Sequence, residues 1–259
     1  MTGNPTPSSR ALDKPAKKIA IFSDIHGNYH AMQAVLEKID AENCDLVVCC
    51  GDIVGYGARP NECVDEIRRR EIPVIAGNHD HACLMLTDIS NFNDIAKAAV
   101  LWTKKVLTDE NVAFLRQMPL TIRDSANDVF FVHASPKDPG EWNYVLTMGE
   151  ARMNFNYYNE RICFIGHSHQ PFIIENDGGN LACPSKPEIE LRPDRRYLVN
   201  VGSVGQPRDH NPDAAYVILD LEKNHLKIHR TPYDLDGAQK AIRAAGLPPE
   251  LAERLAHGM

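Results

Sequence analysis

Two rhythms of apolar and polar residues alternate along this chain. "KKIAIFSD" is a short apolar run closing on polar residues, which predicts a buried strand. In "HAMQAVLEKIDAEN" the apolar residues Met32, Val35, Leu36 and Ile39 recur near helical spacing. "DLVVCCGD" reads as a second strand, "PNECVDEIRRR" as a helix with Pro60 near its start, and "IPVIAGNHD" as a third strand. This β-α-β-α-β order implies parallel strands joined by helical crossovers.

From His81 to Met118 the pattern is helical, rich in Ala, Leu and Lys. "DVFFVHAS" and "RICFIGHS" are two further strands, separated by an aromatic, irregular segment from Pro136 to Glu160. "RYLVNVGS", "AAYVILDL" and "HLKIHRTPY" follow as strands, the last two joined by a tight turn at Glu222–Asn224. A final helical stretch is interrupted by "GLPPE", which leaves a short C-terminal helix. No internal repeat and no linker interrupts the pattern, so one domain is expected over residues 18–259. Residues 1–17, rich in Pro, Ser and Lys, are expected to form a disordered tail.

Composition changes this picture only slightly. At 259 residues, 43% hydrophobic and 24% charged, the chain suits a soluble domain with a sizeable core. The net charge of −7 argues against a surface that coats nucleic acid, which needs clustered positive charge. A small nucleotide needs only a local pocket and stays open as a ligand. There is no membrane-length apolar run and no apolar core of a secretory signal. The seven cysteines show no C-x-x-C spacing, so reduced thiols and a cytoplasmic location are expected.

The chemistry lies where the apolar runs stop. Five blocks ("FSDIHGN", "CCGD", "AGNHD", "FVHAS" and "IGHSH") each place metal-competent residues after an apolar run. Ligands of open α/β sheets bind beyond the carboxyl ends of strands, so blocks spanning Asp24 to His169 would converge on one edge. Each alone has an ordinary explanation: Gly-Asp is a common turn dipeptide, and a lone His after a strand is usually structural. Five in order make coincidence a poor explanation.

The order D-x-H, G-D, G-N-H-D, H, G-H-x-H resembles that of the calcineurin-like metallophosphoesterases, over about Lys18 to Gly205. The resemblance implies a four-layer α/β/β/α sandwich with a helical insertion. It implies two metals, one on Asp24, His26 and His169, the other on Asn78, His133 and His167, with Asp52 bridging. Mixed imidazole and oxygen donors suit Mn, Fe, Zn or Ni, with Mn favoured. A metal-bridging hydroxide would attack phosphorus, and His79 would be the general acid. Asp80 would orient His79, or else simply cap the helix that follows. Ser168, between the two histidines, has no evident duty.

Arg59 and Arg208 are the candidate phosphate contacts. Trp142 and Tyr144 would stack a base or pack the insertion, and packing is favoured. His30 and His81 fill no ligand position; His210, His225 and His229 read as surface or strand positions. "GDIVGYG" and "AGNHD" lack the arginines of the "GDxVDRG" and "RGNHE" patterns of protein phosphatases and symmetrical dinucleoside tetraphosphatases, and resemble the small prokaryotic phosphodiesterase branch. The expected function is hydrolysis of a small phosphodiester, with a nucleotide among the candidates. A phosphomonoesterase on the same centre and a non-catalytic scaffold of the same fold are the alternatives. Residues 81–118 and 136–160 are candidate cap insertions.

Overall fold

A computed structural model describes residues 10–12 and 14–259. Two short N-terminal strands come first, β1 (Arg10–Leu12) and β2 (Lys18–Phe22), and then helix α1 (Tyr29–Ala41), β3 (Leu46–Cys49) and α2 (Pro60–Arg69). Three helices follow, α3 (Asn78–Cys83), α4 (Asp94–Val106) and α5 (Asp109–Leu115), and then β4 (Thr121–Asp124) and β5 (Val129–Val132). Helix α6 (Met148–Asn154) leads to β6 (Ile162–Ile165), β7 (Phe172–Asn176), β8 (Leu181–Ala182), β9 (Glu188–Glu190) and β10 (Arg196–Asn200). The hairpin of β11 (Ala214–Asp220) and β12 (His225–Thr231) precedes α7 (Leu235–Ala244) and α8 (Glu250–Glu253).

The strands form two sheets, ordered β1-β4-β5-β6-β10-β7-β8 and β3-β2-β11-β12-β9. β2 runs parallel to β3, and β5, β6 and β10 are parallel to one another. Side chains alternate between the faces of β2. Ile19 and Ile21 point between the sheets, where they meet Phe131, Phe164, Tyr197 and Val199; Ala20 and Phe22 point outward to Met32, Val35 and Leu36 of α1. The larger sheet turns Phe130, Val132 and Cys163 outward to Ala151 of α6 and to Phe155. The order of layers is therefore α/β/β/α, the architecture that the sequence motifs imply. Truncating the fully buried Phe131 to Ala would cost roughly 3–5 kcal/mol, because its neighbours in both sheets cannot collapse into the void.

Several elements differ from the sequence reading. The third strand shrinks to a single bridge between Cys49 and Val74, since Pro73 has no N–H to donate to a ladder. The helical stretch 81–118 divides into α3, α4 and α5. Val100, Leu107 and Leu115 of this region share one core with α1 and α2, so most of it belongs to the outer helical layer. Within the stretch assigned to a tail, residues 10–12 form β1, which pairs in parallel with β4; residues 1–9 and 13 lie outside the described residues. Among the described residues no helix is long and apolar enough to cross a membrane.

Candidate metal centre

Each sheet delivers part of the site from the ends of its parallel strands. Asp24 and His26 follow β2, Asp52 follows β3, His133 follows β5 at once, and His167 and His169 follow β6; Asn78 opens α3. Asp24, His26, Asp52, His167 and His169 all adopt left-handed backbone, with φ between 51° and 66°. Such angles are costly for residues with a Cβ and persist only where surrounding structure enforces them. Here the enforcement is a set of backbone bonds: Asp24 N–H donates to Gly51 O (2.9 Å) and His26 N–H to Asp52 O (2.9 Å). Close approach adds a second constraint. A Cβ on Gly77 would stand 2.1 Å from Asp52 Oδ1, and one on Gly166 would stand 2.3 Å from Asp24 Oδ2.

The seven residues assigned as ligands come together in two adjoining groups. Asp24, His26 and His169 offer donor atoms within 4.8 Å of one another, as do Asp52, His133 and His167. Asn78 joins the second group, its Oδ1 lying 3.2 Å from His133 Nε2. Asp52 Oδ2 stands between the groups, 3.6 Å from His26 Nε2 and 3.3 Å from His133 Nε2.

The donor chemistry fits a pair of cations. Nδ1 of His26, His133 and His169 lies on the carbonyls of Val54 (3.1 Å), Cys50 (2.8 Å) and Gln206 (2.6 Å). A carbonyl only accepts, so each Nδ1 carries a proton and Nε2 is the nitrogen each ring turns inward as a potential ligand. His26 Nε2 and His169 Nε2 then face each other at 3.1 Å, as two ligands of one cation would. Asp52 Oδ2 and His167 Nε2 are buried with no hydrogen-bond partner among the described residues.

Burial would push the Asp52 carboxyl up, but the charge of His133 and the other imidazoles outweighs it and holds it well below the usual range. Asp24 moves the same way, burial being overcome chiefly by His169. His167 and His169 are pushed down to about 3 and about 4, chiefly by burial, so both rings are neutral and able to ligate at pH 7.

Around this centre the other candidates divide. His79 is buried beside the ligand candidates, its ring against Tyr56 (4.4 Å), His26 (4.9 Å) and Phe92 (5.3 Å), and its backbone N–H donates to Asp52 Oδ1 (2.8 Å). The Asp80 oxygens face backbone rather than the His79 ring. They accept from the N–H groups of Asp52 (2.9 Å), Gly77 (3.0 Å) and Val54 (3.2 Å), so Asp80 caps α3 and ties the Asp52 loop to it.

Arg208 borders the site: its backbone N–H donates to His169 O (3.2 Å), and Nη2 reaches Gln206 Oε1 (2.8 Å) and Tyr56 Oη (3.5 Å). Arg59 instead pairs with Glu62 (3.6 Å) beside a small cavity lined by His30 and Ala238. Trp142 is wedged edge-on against His81 (5.2 Å) and His133 (6.0 Å), and Tyr144 stacks on His167 (4.0 Å). His225 and His229 lie in β12, and His210 occupies a loop.

Ser168 has a duty that the sequence did not disclose. Asn200 Nδ2 donates to Ser168 Oγ (3.0 Å) and Gly166 O (2.6 Å), which fixes the loop carrying both histidines. Tyr56 and Asn200 were also missed. Tyr56 left a faint signal as an aromatic set among glycines after the Asp52 block, and Asn200 left none.

Two stacked sheets whose parallel strands run into one buried cluster of Asp and His side chains, joined by Asn78 from α3, are the arrangement that the sequence motifs imply. The chain belongs to the calcineurin-like phosphoesterase superfamily, whose domain model matches residues 18–224. It is thus a phosphoester hydrolase of a metal-dependent family. An uncharacterized protein of Methanocaldococcus jannaschii is 42% identical over 239 residues, covering 92% of this chain and 96% of the relative. The crystal structure of a metallophosphoesterase from Sphaerobacter thermophilus is 37% identical with a TM-score of 0.81, covering 94% of this chain and all of that one. A symmetrical bis(5'-nucleosyl)-tetraphosphatase of Baumannia cicadellinicola is 28% identical over 126 residues, covering 47% of this chain and 43% of the relative.

Proposed function

We propose that the protein is a dinuclear phosphodiesterase acting on a small phosphodiester of nucleotide type. The position of Asp52 carries this reading: its Oδ2, without a hydrogen-bond partner among the described residues, stands between His26 and His133. Asp24, His26 and His169 would hold one metal, Asn78, His133 and His167 the other, and Asp52 both. When bound, such a pair supplies Lewis acidity and a nucleophile at neutral pH. Of the metals suited to these donors, Mn is favoured.

The chain's own groups would do the rest. Arg208 has a buried Nε without a partner among the described residues, and its Nη2 contacts are the neutral groups Gln206 and Tyr56. A guanidinium so placed suits a phosphoryl oxygen as counter-charge and orients the ester by a fixed fork. Arg59, paired with Glu62 away from the ligands, has no such role in this reading.

His79 is the proton donor to the leaving oxygen. Its Nδ1 is buried against Gly55, which leaves Nε2 as the delivering atom. Burial holds the free imidazole well below its ordinary range, and the negative charge of an arriving phosphoryl group would raise it toward a protonated acid. Asp80 sets the geometry indirectly, by locking the Asp52 loop onto the helix that carries His79.

The supporting experiment is turnover by metal-stripped protein given back Mn, with bis(p-nitrophenyl) phosphate against p-nitrophenyl phosphate. Mn-restored cleavage of the diester is expected. His79→Ala should cost about 10²–10⁴-fold on an ester with a poor leaving group and far less on the nitrophenyl ester. Cleavage of the monoester alone would overturn the phosphodiesterase reading, and equal losses on both leaving groups would overturn the role of His79.

A further inference from the structure

Tyr144 is held in an unusual way for a residue of a surface loop. One ring face stacks on His167 at 4.0 Å with an interplanar angle of 23°, yet the residue is 47% exposed. With one face against an imidazole, that exposure belongs to the opposite face and the ring edge. The loop presenting it is pinned. Asp138 and Trp142 adopt left-handed backbone, and Trp142 Nε1 donates to Thr87 Oγ1 (3.4 Å) while its ring wedges against His81 and His133. The segment leading to Thr87 exposes two apolar side chains, Met85 and Leu86. The Arg208 side chain lies close enough to hydrogen-bond the Tyr144 phenol and to oppose the upward push of burial on it.

A rigid aromatic ring with one open face, stacked on a ligand of the second metal and neighboured by a guanidinium, is a stacking platform beside a phosphate site. We propose that Tyr144 is a specificity-determining residue whose open face receives the planar base of a nucleotide-type phosphoester, while Arg208 takes the charge of its phosphoryl group. This inference rests on the phosphodiesterase reading for its chemistry and goes beyond it in naming the group that is recognised. It takes up the other role open to Tyr144 from the sequence, stacking a base, in place of packing the insertion.

The test uses two ligands that differ by the base alone, AMP and ribose 5-phosphate, titrated calorimetrically into the Mn-loaded full chain. Wild type should bind AMP about ten-fold or more tightly than ribose 5-phosphate, the selectivity expected of one base stacked on one ring. Tyr144→Phe should keep that ratio. Tyr144→Ala and Tyr144→Leu should bring it to about one while ribose 5-phosphate affinity and metal content hold, a pattern that mere support of His167 does not produce. Equal weakening of both ligands, or a wild-type ratio near one, would overturn the inference. Binding is read whether or not a diester is hydrolysed, so this failure is distinguishable from that of the phosphodiesterase reading.

Discussion

His26 and His169 meet nitrogen to nitrogen, with Nε2 to Nε2 at 3.1 Å and each opposite Nδ1 committed to a backbone carbonyl. Neither ring can supply a proton to the other without giving up its carbonyl bond or taking on a buried charge. A cation on both lone pairs removes the conflict. Stripping metal with a chelator should therefore lower the melting temperature, and Mn at about 100 times its dissociation constant should restore roughly 5–10 °C. A melting temperature that ignores both treatments would contradict this.

Asp80 offers a second test, because its role is mechanical. Asp80→Ala leaves the N–H groups of Asp52, Val54 and Gly77 buried without their acceptor, at about 1–3 kcal/mol each. A loss of about 3 kcal/mol or more is expected in urea unfolding of the metal-free chain. Asp80→Asn, which keeps one acceptor oxygen, should lose less. Stability of the Ala variant within 1 kcal/mol of wild type would show that the Asp52 loop does not depend on this brace.

Asn200 and Ser168 should differ in the same kind of experiment. Asn200 donates twice to the histidine loop and accepts from Gly202 N–H (2.9 Å), whereas Ser168 loses one main partner on truncation. Asn200→Ala is expected to cost about 2–3 kcal/mol and to speed metal loss, and Ser168→Ala about 1 kcal/mol. The reverse ranking would mean that Asn200 is not what holds His167 and His169 in register.

Glu66 predicts a pH dependence away from the site. Its carboxylate accepts from Arg69 (2.6 and 2.9 Å) and Arg70 (2.6 Å), and these bonds, Arg69 first, hold it down to about 2. A carboxyl lowered on folding stabilises the fold fully above its unfolded value, near 4.3, and loses that contribution as pH falls toward about 2. The stability gap between wild type and Glu66→Gln should be constant above pH 5 and shrink below it. A gap that widens on acidification would be the wrong sign.

The site was legible for a chemical reason and the fold for a periodic one. Asp24, His26, Asp52, Asn78, His133, His167 and His169 are restricted by what a metal accepts, and each follows an apolar run that reads as a buried strand. What the sequence hid depends on contacts between distant segments. Nothing near Asp80 shows that its oxygens face Asp52 and Val54 from 28 and 26 residues away. Tyr144 and His167 likewise stack across 23 residues. The edge strands β8 and β9 escaped notice because they are short, and the strand expected in "IPVIAGNHD" reduces to one bridge because Pro73 offers no donor.

Metal stoichiometry after stripping and reloading with Mn, compared between wild type and Asp52→Asn, tests the two-metal centre most directly. Wild type should hold about two equivalents per chain, as two ligand groups sharing one carboxylate require. Asp52→Asn, which keeps an amide oxygen but gives up the bridging charge, should hold about one or fewer and lose diester cleavage by about 10²-fold or more. Wild type fully active with one equivalent or none, or Asp52→Asn active with two, would contradict the account.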